Sequence, residues 1–170
     1  MNAQRTLPLF LAPCLWLASN AAAQTSYSLR SPDKKIEVRI RAGSRMQYDV
    51  LRDGKILLQE SALSIRIDQA TLGRDVKVKS ARERSADRVL DPPVRQKFAH
   101  IRDHYNELRL DTEDGLAVVF RAYNEGVAYR LETVLPKAQV KVYGEEAVFQ
   151  SAANQTVFYP EEEGNHTPKL

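Results

Sequence analysis

Residues 36–58 read IEVRIRAGSRMQYDVLRDGKILL, and this stretch decides the fold class of the 170-residue chain. Apolar and polar side chains alternate in two runs, Ile36–Ile40 and Met46–Val50. A period of two is typical of a strand that has one buried face and one solvated face. Asp53-Gly54 then precedes Ile56–Leu58, and this dipeptide favours a tight hairpin because both positions tolerate positive φ. The stretch predicts antiparallel strands.

The same period continues toward the C-terminus in short runs spaced by roughly ten residues, as in a sandwich of short strands. The predicted strands after the hairpin are Leu63–Ile67, Val76–Val78, Ile101–Leu110, Leu116–Tyr123, Val127–Thr133, Gln139–Tyr143, Ala147–Gln150 and Thr156–Tyr159. The three central strands form a meander, joined by Glu113-Asp114-Gly115 and Asn124-Glu125-Gly126. No helical period is sustained. We therefore expect an all-β fold, an antiparallel β-sandwich.

One internal stretch, residues 80–96, lacks this alternation. It is polar and contains Asp91-Pro92-Pro93. Because proline cannot donate to a strand ladder, we expect a loop or an irregular sheet edge there.

The first 23 residues have the pattern of a secretory signal peptide, with Arg5 before the apolar run Leu7–Leu17 and three alanines at 21–23. The run is too short to span a membrane as a helix. We expect cleavage after Ala23, which places the protein in the periplasm or outside a bacterial cell. A lipoprotein signal ending at Cys14 is the alternative, although Pro13 fits that pattern poorly.

Composition excludes several classes of protein. The net charge is only +3, and basic residues are interspersed with acidic ones, so no nucleic-acid partner is predicted. The single cysteine, Cys14, leaves with the signal peptide, which rules out thiol catalysis and cysteine-bound zinc in the mature chain. Sequence motifs of serine hydrolases, phosphate loops, dinucleotide-binding folds and zinc proteases are absent.

Titratable residues cluster around position 104, but their spacing argues against a metal site. On a strand, residues 104 and 106 share one face while 105 and 107 share the other, so His104 and Glu107 do not converge. A glycosidase needs two carboxylates on either side of the scissile bond. Asp103 with Glu107, Asp111 with Glu113 and the run Glu161–Glu163 qualify by composition only. We assign no catalytic residue and no metal ligand.

Three segments together resemble a known family. They are Ser31–Ile36 (SPDKKI), Arg102–Leu108 (RDHYNEL) and Phe120–Arg130 (FRAYNEGVAYR). Between about Ser26 and Pro160 the chain resembles the N-terminal domain of glycoside hydrolase family 97. The resemblance implies a β-sandwich of the galactose-mutarotase-like (supersandwich) type over residues 24–170. It also implies a chain that stops short of the complete sandwich and of the catalytic barrel.

Members of this family are exported α-glucosidases and α-galactosidases whose catalytic carboxylates, and most ligands of a calcium ion, lie in a (β/α)8 barrel. The resemblance therefore implies a sandwich that supports such a barrel, in cis or from a neighbouring gene, in an enzyme for α-linked oligosaccharides. It implies that this chain alone has no turnover and holds no cofactor. It also implies that calcium can be bound in the full-length enzyme. A stand-alone periplasmic carbohydrate-binding module, or a structural partner of a separately encoded barrel, is the alternative. The matched polar residues expected to contact substrate or another domain are Tyr105, Asn106, Glu107, Arg121 and Tyr123.

Overall fold

The computed structural model describes residues 24–156, except residue 69, residues 95–97 and residues 137–138. Within these residues the chain forms ten β-strands and no helix. The strands are β1 (Thr25–Arg30), β2 (Ile36–Ala42), β3 (Met46–Arg52), β4 (Lys55–Ile67), β5 (Ala70–Leu72), β6 (Val78–Leu90), β7 (Ile101–Thr112), β8 (Leu116–Tyr123), β9 (Val127–Thr133) and β10 (Val142–Ala147). The predicted signal peptide, residues 1–23, and most of the predicted strand Thr156–Tyr159 lie outside the described residues.

The strands form two antiparallel sheets. The first sheet has the order β1-β2-β3-β4-β10, and β5 also pairs with β4. The second sheet has the order β6-β7-β8-β9. Apolar side chains from both sheets meet in one core, where the Phe120 ring lies 5.4 Å from the ring of Tyr48 and 5.9 Å from that of Tyr129. The predicted all-β sandwich is confirmed.

The hairpin predicted at Asp53-Gly54 is present. Both residues have positive φ, 49° and 79°, and Arg52 pairs with Lys55 across the turn. The meander is also confirmed, with β8 and β9 at the predicted bounds and β7 two residues longer at its C-terminal end. Positive φ at Asp53 and Gly54 matches the right-handed twist of the strands that the hairpin joins.

Strand β4 is longer than predicted, because the runs Ile56–Leu58 and Leu63–Ile67 belong to one strand. A bulge interrupts the alternation where the register against β3 shifts between Tyr48 and Val50. Glu60 has a φ of 52° in this bulge, and its backbone N–H donates to Asp49 Oδ1 at 2.7 Å. The bulge changes which face each side chain occupies, and this hides the continuity of the strand in the sequence.

The expectation of a loop over residues 80–96 is wrong for most of its length, since β6 runs to Leu90 and pairs with β7 along nearly its whole length. Its position at the edge of the sheet is as expected. Almost all of its side chains are exposed, and only Val78, Ser80 and Ala86 are half-buried. An edge strand without a buried apolar face has no period-two apolar pattern, so its sequence resembles a loop.

The strands predicted at Gln139–Tyr143 and Ala147–Gln150 are replaced by a single strand, β10, that spans the gap between them. Gly144-Glu145-Glu146 suggests a turn, yet Glu146 is held by Ser64 and by two arginines, Arg45 and Arg74. These side-chain contacts with distant residues stabilise a strand that local preference does not favour.

No helix in the described part of the chain is long and apolar enough to cross a membrane.

Candidate functional site

Four of the five predicted contact residues lie on one surface, the outer face of the second sheet. Tyr105 and Glu107 project from β7, and they pair in register with Tyr123 and Arg121 of β8. The core-facing side chains of β7, such as Leu108, occupy the opposite face. The period of two places residues 105 and 107 together, as predicted.

Glu107 is a buried carboxylate held by two arginines. Arg84 of β6 donates from Nε and Nη2 to Glu107 at 2.5 and 2.9 Å, and Arg121 Nε donates at 2.7 Å. The Glu107 side chain is 7% exposed, against 58% for Arg84 and 26% for Arg121. The carboxylate therefore links three adjacent strands through charge-assisted hydrogen bonds.

The pKa of Glu107 is lowered from its ordinary value. Burial raises the pKa, but the hydrogen bonds from Arg84 and Arg121 together outweigh burial. A catalytic acid needs a pKa raised toward the working pH. Glu107 is therefore an ionised structural carboxylate near neutral pH, and it is poorly suited to donate a proton.

Aromatic rings surround this ion pair. The Arg121 guanidinium lies 4.2 Å from the centre of the Tyr105 ring, and the Tyr105 and Tyr123 rings are 5.4 Å apart. The Tyr123 hydroxyl donates to Asp103 Oδ1 at 3.4 Å, and Arg88 Nε donates to Asp103 Oδ2 at 2.9 Å. Tyr105 is buried beneath Arg121, so its ring is unavailable to stack on a sugar.

The fifth predicted residue, Asn106, lies on the opposite face of β7. Its Nδ2 donates to the carbonyl oxygen of Arg30 at 2.8 Å, and its Oδ1 accepts a hydrogen bond from Ser85 at 2.6 Å. Because Arg30 belongs to β1, this amide connects the two sheets. Asn106 is therefore placed apart from the other four and joins the sheets.

The candidate metal and catalytic groups do not assemble into a site within the described residues. His104 shares the face of Asn106, away from Glu107, and His100 Nδ1 pairs with Asp91 at 2.5 Å on an exposed loop. Among the described residues, no three His, Cys, Asp or Glu side chains come together as metal ligands. The run Glu161–Glu163 lies outside the described residues.

Three of the carboxylates named from composition, Asp103, Glu107 and Asp111, are engaged by arginine. Asp103 is held by Arg88, and Asp111 accepts from Arg82 and Arg109 at 2.7 and 2.8 Å. Burial raises the pKa of Asp111, but hydrogen bonds from Ser80 and both arginines lower it overall. Carboxylates held in this way stabilise the sheet rather than transfer protons.

Sequence reasoning missed the arginines of β6, namely Arg82, Arg84 and Arg88, because the stretch was expected to be a loop. Each contacts a carboxylate of β7 on the outer face. Arginines at positions 82 and 84, with an acidic residue between them, are the pattern that could have indicated a charged edge strand.

Comparison with known proteins places the chain in a family. Residues 29–169 match the family described as "Glycosyl-hydrolase 97 N-terminal". A retaining alpha-galactosidase of Bacteroides thetaiotaomicron is 34% identical over 122 residues, which are 71% of this chain and 18% of that protein. A probable retaining alpha-galactosidase of Streptomyces bingchenggensis is 28% identical over 157 residues, which are 90% of this chain and 23% of that protein. The chain thus spans about a fifth of the length of these relatives.

Solved structures show the same fold. A glycoside hydrolase family 97 enzyme from Pseudoalteromonas sp. strain K8, in complex with acarbose, matches with a TM-score of 0.66 at 21% identity, over 74% of this chain and 20% of that one. A beta-arabinopyranosidase matches with a TM-score of 0.66 at 24% identity, over 74% of this chain and 21% of that one. With its residues matched almost throughout, the chain belongs to glycoside hydrolase family 97 as the N-terminal domain of that family.

Proposed function

We propose that this chain is the non-catalytic sandwich domain of an exported α-glycosidase, and that it supports and abuts a (β/α)8 catalytic barrel. The observation that carries the proposal is the match to about a fifth of each much longer relative. The engagement of Asp103, Glu107 and Asp111 by arginine supports a structural role. The two relatives are named a retaining alpha-galactosidase and a probable retaining alpha-galactosidase, which favours an α-linked galactoside over a glucoside as substrate of the whole enzyme.

The paired carboxylates of the second sheet do not suit a calcium ion. Calcium requires six to eight oxygen ligands converging on one point. The carboxylates of the second sheet are spread along the strands and neutralised by arginine, so they do not fit such a site.

An activity assay tests the absence of turnover. Residues 24–170 are purified and incubated with nitrophenyl α-galactoside and nitrophenyl α-glucoside, beside a purified α-galactosidase as the positive control. We expect release of nitrophenol at the buffer rate only. Hydrolysis at an enzyme-like rate, abolished by heating the sample, would show that the chain is catalytic.

Sequencing the gene beyond the codon for Leu170 tests the barrel partner. The proposal expects a reading frame with alternating strand and helix patterns, either continuous with this one or beginning in a neighbouring gene. Unrelated neighbours on both sides would contradict a barrel partner. In that case a stand-alone carbohydrate-binding module becomes the better proposal, and titration calorimetry against maltose and melibiose would measure its affinity.

Export is tested by determining the mature N-terminus. When the full chain is expressed in a bacterial host, we expect it in the periplasmic fraction with Gln24 as its first residue. Uncleaved protein that still begins at Met1 in the cytoplasmic fraction would contradict cleavage after Ala23. Protein with a lipid-modified Cys14 in the membrane fraction would contradict it too.

A further inference from the structure

The outer face of the second sheet carries more arginines than its structural ion pairs require. We call this surface the guanidinium face. Its arginines alternate with inward side chains along all four strands, and strand register brings them onto one side. They are Arg82, Arg84, Arg88, Arg109, Arg121 and Arg130.

Carboxylates lie at the base of the guanidinium face and arginines lie above them. The four acids that pair with these arginines have side chains only 7 to 31% exposed, whereas Arg82, Arg84, Arg88 and Arg130 are 58 to 65% exposed. A guanidinium has five N–H donors, and these ion pairs use one or two of them on each exposed arginine. An approaching ligand therefore meets unused cationic donors of these arginines before it meets the four carboxylates that pair with them.

Two shallow depressions cross the guanidinium face and share Arg130. The first has a volume of about 450 Å³ and is lined by Arg82, Glu83, Arg84, Glu107, Arg109 and Arg130. The second, of about 130 Å³, is lined by Val119, Arg121, Tyr123, Ala128, Tyr129 and Arg130. One end of the combined groove is rich in guanidinium groups, and the other end has apolar and aromatic walls.

We propose that this groove binds an acidic saccharide, with the carboxylate of a uronic acid residue at the arginine end and a neighbouring sugar ring at the aromatic end. Planar guanidinium groups match carboxylates in bidentate geometry. The apolar face of a sugar ring packs on aromatic and aliphatic side chains, and the half-buried Tyr123 and the exposed Ala128 line the second depression beside Arg130. An acidic peptide would use the arginines but gain little from the second depression.

Binding in this groove depends on neither a barrel nor turnover, because the groove lies on a surface of this domain alone. The interaction should be weak and salt-sensitive, since exposed charges are screened at physiological ionic strength. A peptide, or any polyanion held by charge alone, is the competing occupant that the experiment must separate.

The experiment is titration calorimetry of residues 24–170 with trigalacturonate, maltotriose and hexaglutamate at low and moderate salt. We expect trigalacturonate to bind more tightly than hexaglutamate despite its smaller charge, and neutral maltotriose to bind at least tenfold more weakly. Arg130→Gln removes the group shared by both depressions, and we expect about a tenfold loss of affinity for trigalacturonate. Tyr123→Ala tests the aromatic end, and we expect a smaller loss with that variant.

Arg39→Gln is the matched control. Arg39 is half-exposed on β2 of the other sheet and pairs with Glu37, so it loses the same charge outside the groove. Unchanged affinity in this control, together with the loss in Arg130→Gln, would establish the site. Equal losses in both variants, tighter binding of hexaglutamate, or no heat with trigalacturonate at millimolar concentration would each overturn it. Circular dichroism of every variant confirms that the fold is retained.

Discussion

Glu107 shows how a buried carboxylate can be a structural residue rather than a catalytic one. Its oxygens accept three N–H hydrogen bonds from Arg84 and Arg121, which come from the strands on either side of β7. The Arg121 guanidinium in turn covers the Tyr105 ring. The Glu107 carboxylate therefore connects three strands. Removing its charge should lower the stability of the domain.

Glu107→Gln should lower the free energy of unfolding by about 2 kcal/mol, because both arginines lose a charged acceptor in a poorly solvated position. Urea denaturation at neutral pH measures the change. Asp87→Asn is the matched control on the same hairpin, since Asp87 pairs bidentately with Arg102 but both are more than half exposed. We expect the control to cost less than about 1 kcal/mol. Equal effects of the two substitutions would contradict the role assigned to Glu107.

The stability that Glu107 contributes should depend on pH in a defined direction. Its pKa is lower in the folded state than the ordinary value. The contribution is therefore complete above the ordinary pKa of glutamate, near about pH 4.5, and is lost as the pH falls through the lower folded-state pKa. Urea denaturation between pH 7 and pH 3 should show a constant difference between wild type and Glu107→Gln down to about pH 5, then a narrowing one. A difference that widens in acid would refute this assignment.

Strands β6 and β8 form for different physical reasons. Strand β8 is buried on both faces, because its inner side chains meet the core and its outer ones, such as Val119, are covered by neighbouring side chains. Strand β6 is almost entirely exposed, and its order derives from pairing with β7 and from arginine contacts on one face. An apolar pattern thus identifies β8, whereas β6 depends on its neighbour.

The turn after β5 depends on a glycine. Gly73 has a φ of 90°, and a Cβ there would lie 2.8 Å from the carbonyl oxygen of Leu63. Gly73→Ala should therefore destabilise the domain by about 3 kcal/mol, from backbone strain and steric overlap together. Gly54→Ala is the control, because Gly54 also has positive φ but has open space around it. Gly54→Ala should lower the free energy of unfolding by about 1 kcal/mol, as measured by thermal and urea unfolding. Equal losses in the two variants would show that the close approach to the Leu63 carbonyl oxygen does not affect stability.

At the scale of the whole molecule, a single core between the two sheets holds the described chain together. Phe120 is fully buried there and contacts aromatic rings of both sheets. Hydrogen bonds also connect the two sheets. Asn106 donates to the carbonyl oxygen of Arg30, and Asn124 Oδ1 accepts from the Asp33 N–H at 3.1 Å. The sheets should therefore unfold together.

Phe120→Ala should reduce the free energy of unfolding by about 4 kcal/mol, because it leaves a cavity at the contact between the sheets. Phe149→Ala is the control, since Phe149 is 65% exposed and touches only the margin of the aromatic cluster. We expect the control to change stability by less than about 0.5 kcal/mol. If Phe120→Ala destabilised only one sheet, so that unfolding occurred in two transitions and the second kept its wild-type midpoint, the two sheets would not share a core.

The candidate site was predictable only in part. Alternation along β7 predicts that Tyr105 and Glu107 share one face and Asn106 the other, and the structure places them so. Alternation does not predict that Arg84 reaches Glu107, because that contact depends on the pairing of β6 with β7 across a polar stretch. The role of Glu107 therefore changes from candidate contact to structural ion pair only when its partners are known.

The sequence by itself determined the fold class, the Asp53-Gly54 hairpin, the meander and the resemblance to glycoside hydrolase family 97. Local alternation, turn residues and short motifs act over a few neighbouring positions, so they can be read from the chain directly. The tertiary structure decided the bulge in β4, the ordered edge strands β6 and β10, and the arginine partners of the buried carboxylates. These features arise from contacts between residues far apart in sequence, whose energies outweigh local preference, and no short stretch of the chain contains them.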